Sequence, residues 1–334
     1  MHLLPTYFPG TNAPFEVYYG EVLEQIQLAE ELGWDCFWFT EHHFLFYGGA
    51  MPNPAVILSA AAARTSTIRL GSAISILPLH HPLQIAEDYA MVDAVSDGRL
   101  EFGIGLGNTP LDFHAFGVPR EESRQRFDEA AEVIRKAWTN DRFSHEGTFW
   151  RFDDVAIYPK PAQQPSPPFW VAGISAASLG WAGRHGCHIM TVAHAAPPET
   201  YAPGMAAWRD GLVQSGYDPS KYHCKLHLRV WVDEDGERAR AVAEPAITNY
   251  EQVASVGRER RNAVPPELYD WKGMLAAGRN AYGNPDQVIE AIRRCMRNYE
   301  FDILSTTFNF GGLSHDAITR AIRLFAKEVM PAFQ

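Results

Sequence analysis

Phe37-Trp38-Phe39-Thr40-Glu41-His42-His43-Phe44 is a run of aromatic, strand-favouring residues that stops abruptly in a carboxylate and two imidazoles. Burying three titratable groups together costs free energy unless each finds a partner, so a plain interior strand seldom ends this way. The mouth of an α/β barrel is a place where such an ending is useful, because catalytic groups there sit at the C-terminal ends of strands. Neighbouring side chains of an extended backbone point to opposite faces, so His42 and His43 are not expected to ligate one metal together. The His-x-His spacing of a barrel metal hydrolase is also missing. The functional reading places one imidazole in the mouth as acid, base or hydrogen-bond donor, with Glu41 orienting it or packing beneath it. The competing reading is a pair of satisfied structural histidines.

Outward from this stretch, apolar runs and helical patterns alternate. Leu3–Phe8 reads as a strand closed by Pro9-Gly10, and Tyr18–Leu32 as a helix stopped by Gly33. After the central strand come a helix at 54–63, a strand at 68–77, a helix at 83–95 and a strand at 100–104. Further strands are expected near residues 169, 187, 226 and 302, each with a following helix. About eight βα units over 334 residues predict a single-domain (β/α)8 barrel spanning residues 1–334. Three stretches interrupt the alternation: a loop at 108–120, a hairpin and proline-rich loop at 144–168, and a charged, poorly periodic insertion at 252–282 that reads as a lid, a binding loop or a disordered segment.

Other strand ends carry polar or glycine-rich signals. His80-His81 lies between Pro78 and Pro82 and repeats the pattern of histidines after a strand, although the residues alone favour a plain loop histidine. Phe102-Gly103-Ile104-Gly105-Leu106-Gly107-Asn108 lacks the third glycine of a dinucleotide fingerprint, and Thr109-Pro110 follows where a helix should open. It does permit close approach of a flat ligand to the backbone at Gly105, Leu106 and Asn108; tight packing is the alternative. Ala172-Gly173-Ile174-Ser175-Ala176-Ala177-Ser178 joins a strand to a helix start, which suits a phosphate at Ala172, Gly173, Ser175 and Ser178, or else an ordinary Ser175 cap. Phe44, Phe46, Tyr47, Phe113 and Phe116 read as an apolar pocket or as core.

The composition, 46% hydrophobic and 21% charged, is that of a soluble globular protein, and the net charge of −11 argues against nucleic acid or an anionic membrane as partner. Four scattered cysteines form no zinc or disulfide pattern and point to a reducing compartment. No signal peptide and no apolar run of roughly 18 residues is seen, so a cytoplasmic protein is expected.

Taken in order, Glu41-His42-His43-Phe44, Leu77-Pro78 through His81-Pro82, Ala86-Glu87-Asp88, Ser96-Asp97-Gly98-Arg99, Phe102-Gly103-Ile104-Gly105, Phe116-Gly117, Glu122-Ser123-Arg124, Val171-Ala172 through Arg184-His185-Gly186, and Val329-Met330-Pro331 resemble the bacterial luciferase-like family of flavin-dependent monooxygenases along essentially the whole chain. The resemblance implies a barrel that takes reduced FMN from a separate NAD(P)H:flavin reductase. It implies that O2 adds at the flavin C4a and that the resulting peroxide or hydroperoxide oxidises an aldehyde, ketone or other small organic substrate. It places His42 beside the flavin, Ala73-Ile74 against the isoalloxazine ring, often through a non-proline cis peptide, and Arg124, Ser175 and Ser178 near the phosphate. It also implies a homodimer and a mobile lid at 252–282. Leu106 stands where luciferase carries an arginine for the phosphate, and Gly105 where it carries a reactive cysteine, so weak FMN binding or another flavin is implied. A deazaflavin (F420)-dependent hydride transferase from the same barrel family is the nearest rival. A non-catalytic flavin-binding paralogue is a third reading, and His42 together with the 252–282 insertion speaks against it.

Overall fold

The computed structural model describes residues 1–3, 7–44, 49–257 and 271–333. In chain order the elements are β1 (His2–Leu3), α1 (Phe15–Glu31), β2 (Cys36–Phe39), α2 (Pro54–Ala62), β3 (Arg69–Ser72), β4 (Ser75–Ile76), α3 (Pro82–Val95), β5 (Leu100–Gly105), α4 (Pro110–Ala115), α5 (Ser123–Thr139), β6 (Phe143–Glu146), β7 (Arg151–Val155), β8 (Phe169–Ala172), α6 (Ala176–Arg184), β9 (His188–Val192), α7 (Ala202–Gln214), β10 (Cys224–Val232), α8 (Gly236–Gly257), α9 (Trp271–Ala276), β11 (Asn280–Gly283), α10 (Pro285–Asn298), β12 (Ile303–Thr307) and α11 (His315–Leu324).

The main sheet is parallel throughout and runs β1-β2-β3-β5-β8-β9-β10, with β11 and β12 both paired to the long β10 and β4 paired to β5. β12 returns against β1, so the sheet curls into a nearly closed eight-stranded barrel with helices outside. β4 continues β3 past a cis peptide bond between Ala73 and Ile74.

The insertions differ in part from expectation. The 144–168 stretch does contain an antiparallel hairpin, β6–β7. The 108–120 stretch is more than a loop, since Pro110 starts the short helix α4. In the 252–282 stretch, α8 runs on to Gly257 because Ala239, Ala243, Ile247 and Tyr250 continue a buried helical stripe. Asn280–Gly283 is a strand parallel to β10, and residues 258–270 of the expected lid lie outside the described residues. Asn-Ala-Tyr-Gly carries little strand propensity of its own; β10 supplies the ladder.

Local chemistry sets the ends of the elements. Asn53 caps α2 ahead of Pro54, and Asn284 forms a reciprocal capping box with Gln287 on α10. Asp97 and Gly98 both adopt positive φ in the turn before β5. Arg99 then donates to the carbonyls of Ala62, Thr65, Ile68 and Ser96, which ties the start of β5 to the end of α2.

Apolar clusters form on both faces of the sheet. The larger lies between sheet and helices, and a second fills the barrel lumen with Trp38, Trp170 and Met190. Gly103 and Gly105 make this packing feasible: a Cβ at 103 would overlap the Ser72 carbonyl, and one at 105 would overlap the Ile74 side chain. The four cysteines are free, with Cys36 half-buried and Cys187, Cys224 and Cys295 buried; burial pushes all four thiols up. Among the described residues, no helix is long and apolar enough to cross a membrane.

Candidate active site

The chain that leaves β2 buries Glu41 and uses both of its carboxylate oxygens. Oε1 accepts from His43 Nε2 at 3.0 Å and from His80 Nε2 at 2.6 Å, and Oε2 accepts from the Ile76 backbone N–H at 3.0 Å. Burial pushes the Glu41 carboxyl up, but the hydrogen bonds from His43, His80 and Ile76 more than offset it and take the group down to about 2. Burial likewise pulls His80 down, and the Glu41 carboxylate overcomes this, leaving the imidazole raised. Glu41, His43 and His80 have ligating atoms within 4.8 Å of one another, the one such group among the described residues. The carboxylate here already accepts from both imidazoles.

This geometry differs from the arrangement expected from sequence. Glu41 does not merely support one member of its own histidine pair; it brings in His80 from the strand end next door. His80 therefore belongs to the site although the sequence alone left it as a loop histidine. His42, between the two buried residues, is half-buried, with its backbone N–H on the Met51 carbonyl at 3.3 Å. Phe116 covers the cluster, with ring centroids 4.8 Å from His43 and 6.2 Å from His80, and Phe44 packs on Phe116 at 5.7 Å. Phe113 is core, packed with Ile76 and Leu79, while Phe46 and Tyr47 lie outside the described residues. Asp112 of α4 is buried nearby, and burial raises its carboxyl to about 6 against the pull of His43.

Across the end of β5, a second group forms at the start of α6. Ser175 caps the helix by accepting from the Ser178 backbone N–H at 3.2 Å. Arg124 of α5 donates to Ser178 Oγ at 3.0 Å and pairs loosely with Asp128 at 3.5 Å. The structure thus joins Arg124, Ser175 and Ser178, a guanidinium and two hydroxyls at the positive end of a helix. Ala73, Ile74 and Ala172 are half-buried and pack on the lumen cluster, and Gly173 donates its N–H to the Met190 carbonyl at 3.2 Å. Gly105 is fully buried, so its packing role is the one the geometry supports. Leu106 is half-buried against the outer core, and Asn108 is exposed.

The family model for luciferase-like monooxygenases matches residues 2–301. The chain belongs to the luciferase-like monooxygenase family. This monooxygenase is 34% identical to the oxygenase component of the flavin-dependent trigonelline monooxygenase of Acinetobacter baylyi, over 94% of this chain and 90% of that one. The crystal structure of the monooxygenase RslO1 from Streptomyces bottropensis superposes with a TM-score of 0.93 at 31% identity, covering 100% of this chain and 99% of the other. The FMN complex of the oxygenating constituent of 3,6-diketocamphane monooxygenase from Pseudomonas putida has a TM-score of 0.83 at 18% identity, covering 100% and 98%, a likeness of fold. The protein is a flavin-dependent monooxygenase.

Removing Glu41 tests the cluster. Glu41→Ala should cost about 3–5 kcal/mol of stability, as stripping one partner from a buried ion pair does. The stabilisation from the lowered Glu41 is present above its ordinary 4.5 and is lost as pH falls toward about 2. That from the raised His80 is present below its ordinary 6.5 and is lost as pH rises through the folded value. Thermal unfolding midpoints across this range check both limbs, and Glu41→Gln should flatten the alkaline one.

Proposed function

We propose that this monooxygenase uses reduced FMN supplied by a separate NAD(P)H:flavin reductase, with O2 as co-substrate, to oxidise a small organic molecule. The observation that carries the reading is the convergence of two groups on either side of the β5 end: the Glu41–His43–His80 cluster with His42, and the Arg124–Ser178–Ser175 cradle at the start of α6. The cradle fits a phosphate monoester, since it offers a guanidinium, hydroxyls and helix N–H groups. It also meets the lack of an arginine at 106, because Arg124 brings the charge from α5 instead. Between the two groups, Ala73, Ile74, Ala172 and Gly173 offer an apolar, backbone-rich surface for a flat ring. The relative described as an oxygenase component supports a two-component system.

Reduced FMN, when bound, supplies the electrons that activate oxygen. The protein's share is positioning and proton handling. Arg124, Ser175 and Ser178 hold the phosphate end. His42 gives or takes a proton at an imidazole nitrogen, and Glu41 fixes His43 and His80 beside it so that the wall of the site does not shift. Phe116 and Phe44 keep water from the cluster.

We also infer a homodimer formed through α2 and α3. These helices pack together and leave Val56, Met91 and Val95 more than half exposed. Aspartate at both 56 and 91 should yield monomers, read by light scattering after gel filtration, and a wild-type monomer would refute the dimer.

The central test mixes the protein with reduced FMN, substrate candidates and 18O2. One labelled oxygen atom in the product is expected. Reduction or oxidation of F420 without oxygen uptake would instead make the protein a hydride transferase. Arg124→Ala should weaken FMN binding about 10- to 100-fold, the worth of a charged hydrogen bond. His42→Ala should lower turnover about 100-fold or more while leaving FMN affinity nearly unchanged; unaltered turnover removes His42 from the mechanism.

A further inference from the structure

Behind Glu41 and His80, between the first turns of α2 and α3, lies a cavity of about 40 Å³. A space of this size holds roughly one or two water molecules. Its lining grades from the interior to the surface. Glu41, Ser75 and Tyr89 are buried, His80 and Asp88 are half-buried, and Asn53 and Gln84 are exposed.

The lining is polar where it is most enclosed. The Ser75 hydroxyl and the Tyr89 phenol lie near each other, yet neither completes a hydrogen bond among the described residues. Buried polar atoms nearly always find a protein or water partner, so this pair calls for water. His80 spends Nε2 on the Glu41 carboxylate, which leaves Nδ1 for another partner. Burial raises the Asp88 carboxyl and His80 pulls it back, while burial lowers His80 and the Glu41 and Asp88 carboxylates raise it. The titratable groups on the cavity are thus Glu41 from the chain after β2, His80 from the turn before α3, and Asp88 and Tyr89 from α3 itself.

We propose that this cavity holds water and is the proton inlet of the site, with Asp88 as the relay between solvent and the Glu41–His43–His80 cluster. The Asp88 carboxylate takes a proton from solvent and passes it to a cavity water, and that water gives up a proton to His80 Nδ1. The imidazolium so formed stays on the Glu41 carboxylate through Nε2. Asp88 is again a carboxylate and the water is whole, so the net change is one proton added to the cluster. Oxygenation has a use for it: reduced flavin monoanion, O2, substrate and one proton balance to oxidised flavin, oxygenated product and water. That use rests on the monooxygenase reading. An inlet behind the cluster delivers protons without admitting bulk water past Phe116. Asp88 touches neither flavin nor substrate and acts through His80, as a positioning residue.

The test needs no turnover. In the purified full-length protein, NMR follows exchange with water of the Nε2 protons that His43 and His80 donate to Glu41. Asp88→Asn should slow it about tenfold or more, and so should Ala55→Val, which narrows the cavity without touching a titratable group. The His145 proton on Glu129, away from the cavity, should exchange as before. Asp88→Ala should also be slow, and formate at tens of millimolar should restore its exchange by carrying the proton in place of the missing carboxylate. Circular dichroism confirms that each variant is folded, and Ala55→Val carries the test if the Asp88 variants are not. Unchanged exchange in the folded variants, or slowing in Asp88→Ala that formate leaves untouched, overturns the proposal. Because exchange is read without flavin or oxygen, its failure is distinct from absence of oxygen transfer from reduced FMN.

Discussion

The Glu41 carboxylate is buried behind the site, and three donors from two strand ends meet on it. It joins the chain leaving β2 to the backbone of β4 through the Ile76 N–H, and to the loop before α3 through His80. A buried carboxylate left without partners would cost several kcal/mol. Each donor is therefore held as firmly as the charge is deeply buried. The cis bond between Ala73 and Ile74 lies in the segment that this carboxylate spans. The surface proposed for a flat ring thus has the position of one side chain as its reference.

Much of this architecture is legible in the sequence. The alternation of apolar runs with helical stripes gives the eight barrel strands near residues 3, 35, 68, 100, 169, 187, 226 and 302, since each lies in an apolar or aromatic run set off from the helical stripes around it. β11 is not legible, because Asn280–Gly283 pairs only on account of the length of β10. α4 is hidden by its Pro110 start and its shortness. The end of α8 is obscured by the polar side chains on its exposed face, although Ile247 and Tyr250 continue the buried stripe.

At the site, the residues close in sequence are the ones that can be read, whereas the partners that complete them come from elsewhere in the chain. Glu41 and His43 announce themselves, but the 2.6 Å bond to His80 spans 39 residues. Arg124 reaches Ser178 across 54. The glycines at 103 and 105 signal close approach, yet only the packed barrel shows that Ser72 and Ile74 are what approach them. The lumen face of β10, where Lys225 lies over the Trp38 ring, is the least legible of all. Lys225, His227 and Arg229 alternate with Leu226, Leu228 and Val230 as they would on a half-exposed strand, and the sequence does not say that their polar face is enclosed by a barrel.

The state of the four cysteines bears on durability. An enzyme that handles reduced flavin and oxygen generates hydrogen peroxide whenever a turnover miscarries, and peroxide attacks thiolates rather than thiols. Burial keeps Cys36, Cys187, Cys224 and Cys295 protonated, and Cys187, Cys224 and Cys295 are also shut away from solvent. At position 105, where luciferase carries a reactive cysteine, this chain has a glycine packed beneath Ile74. The catalyst is therefore built with no easily oxidised sulfhydryl near its own exhaust, a property that favours long operation under air without added reductant.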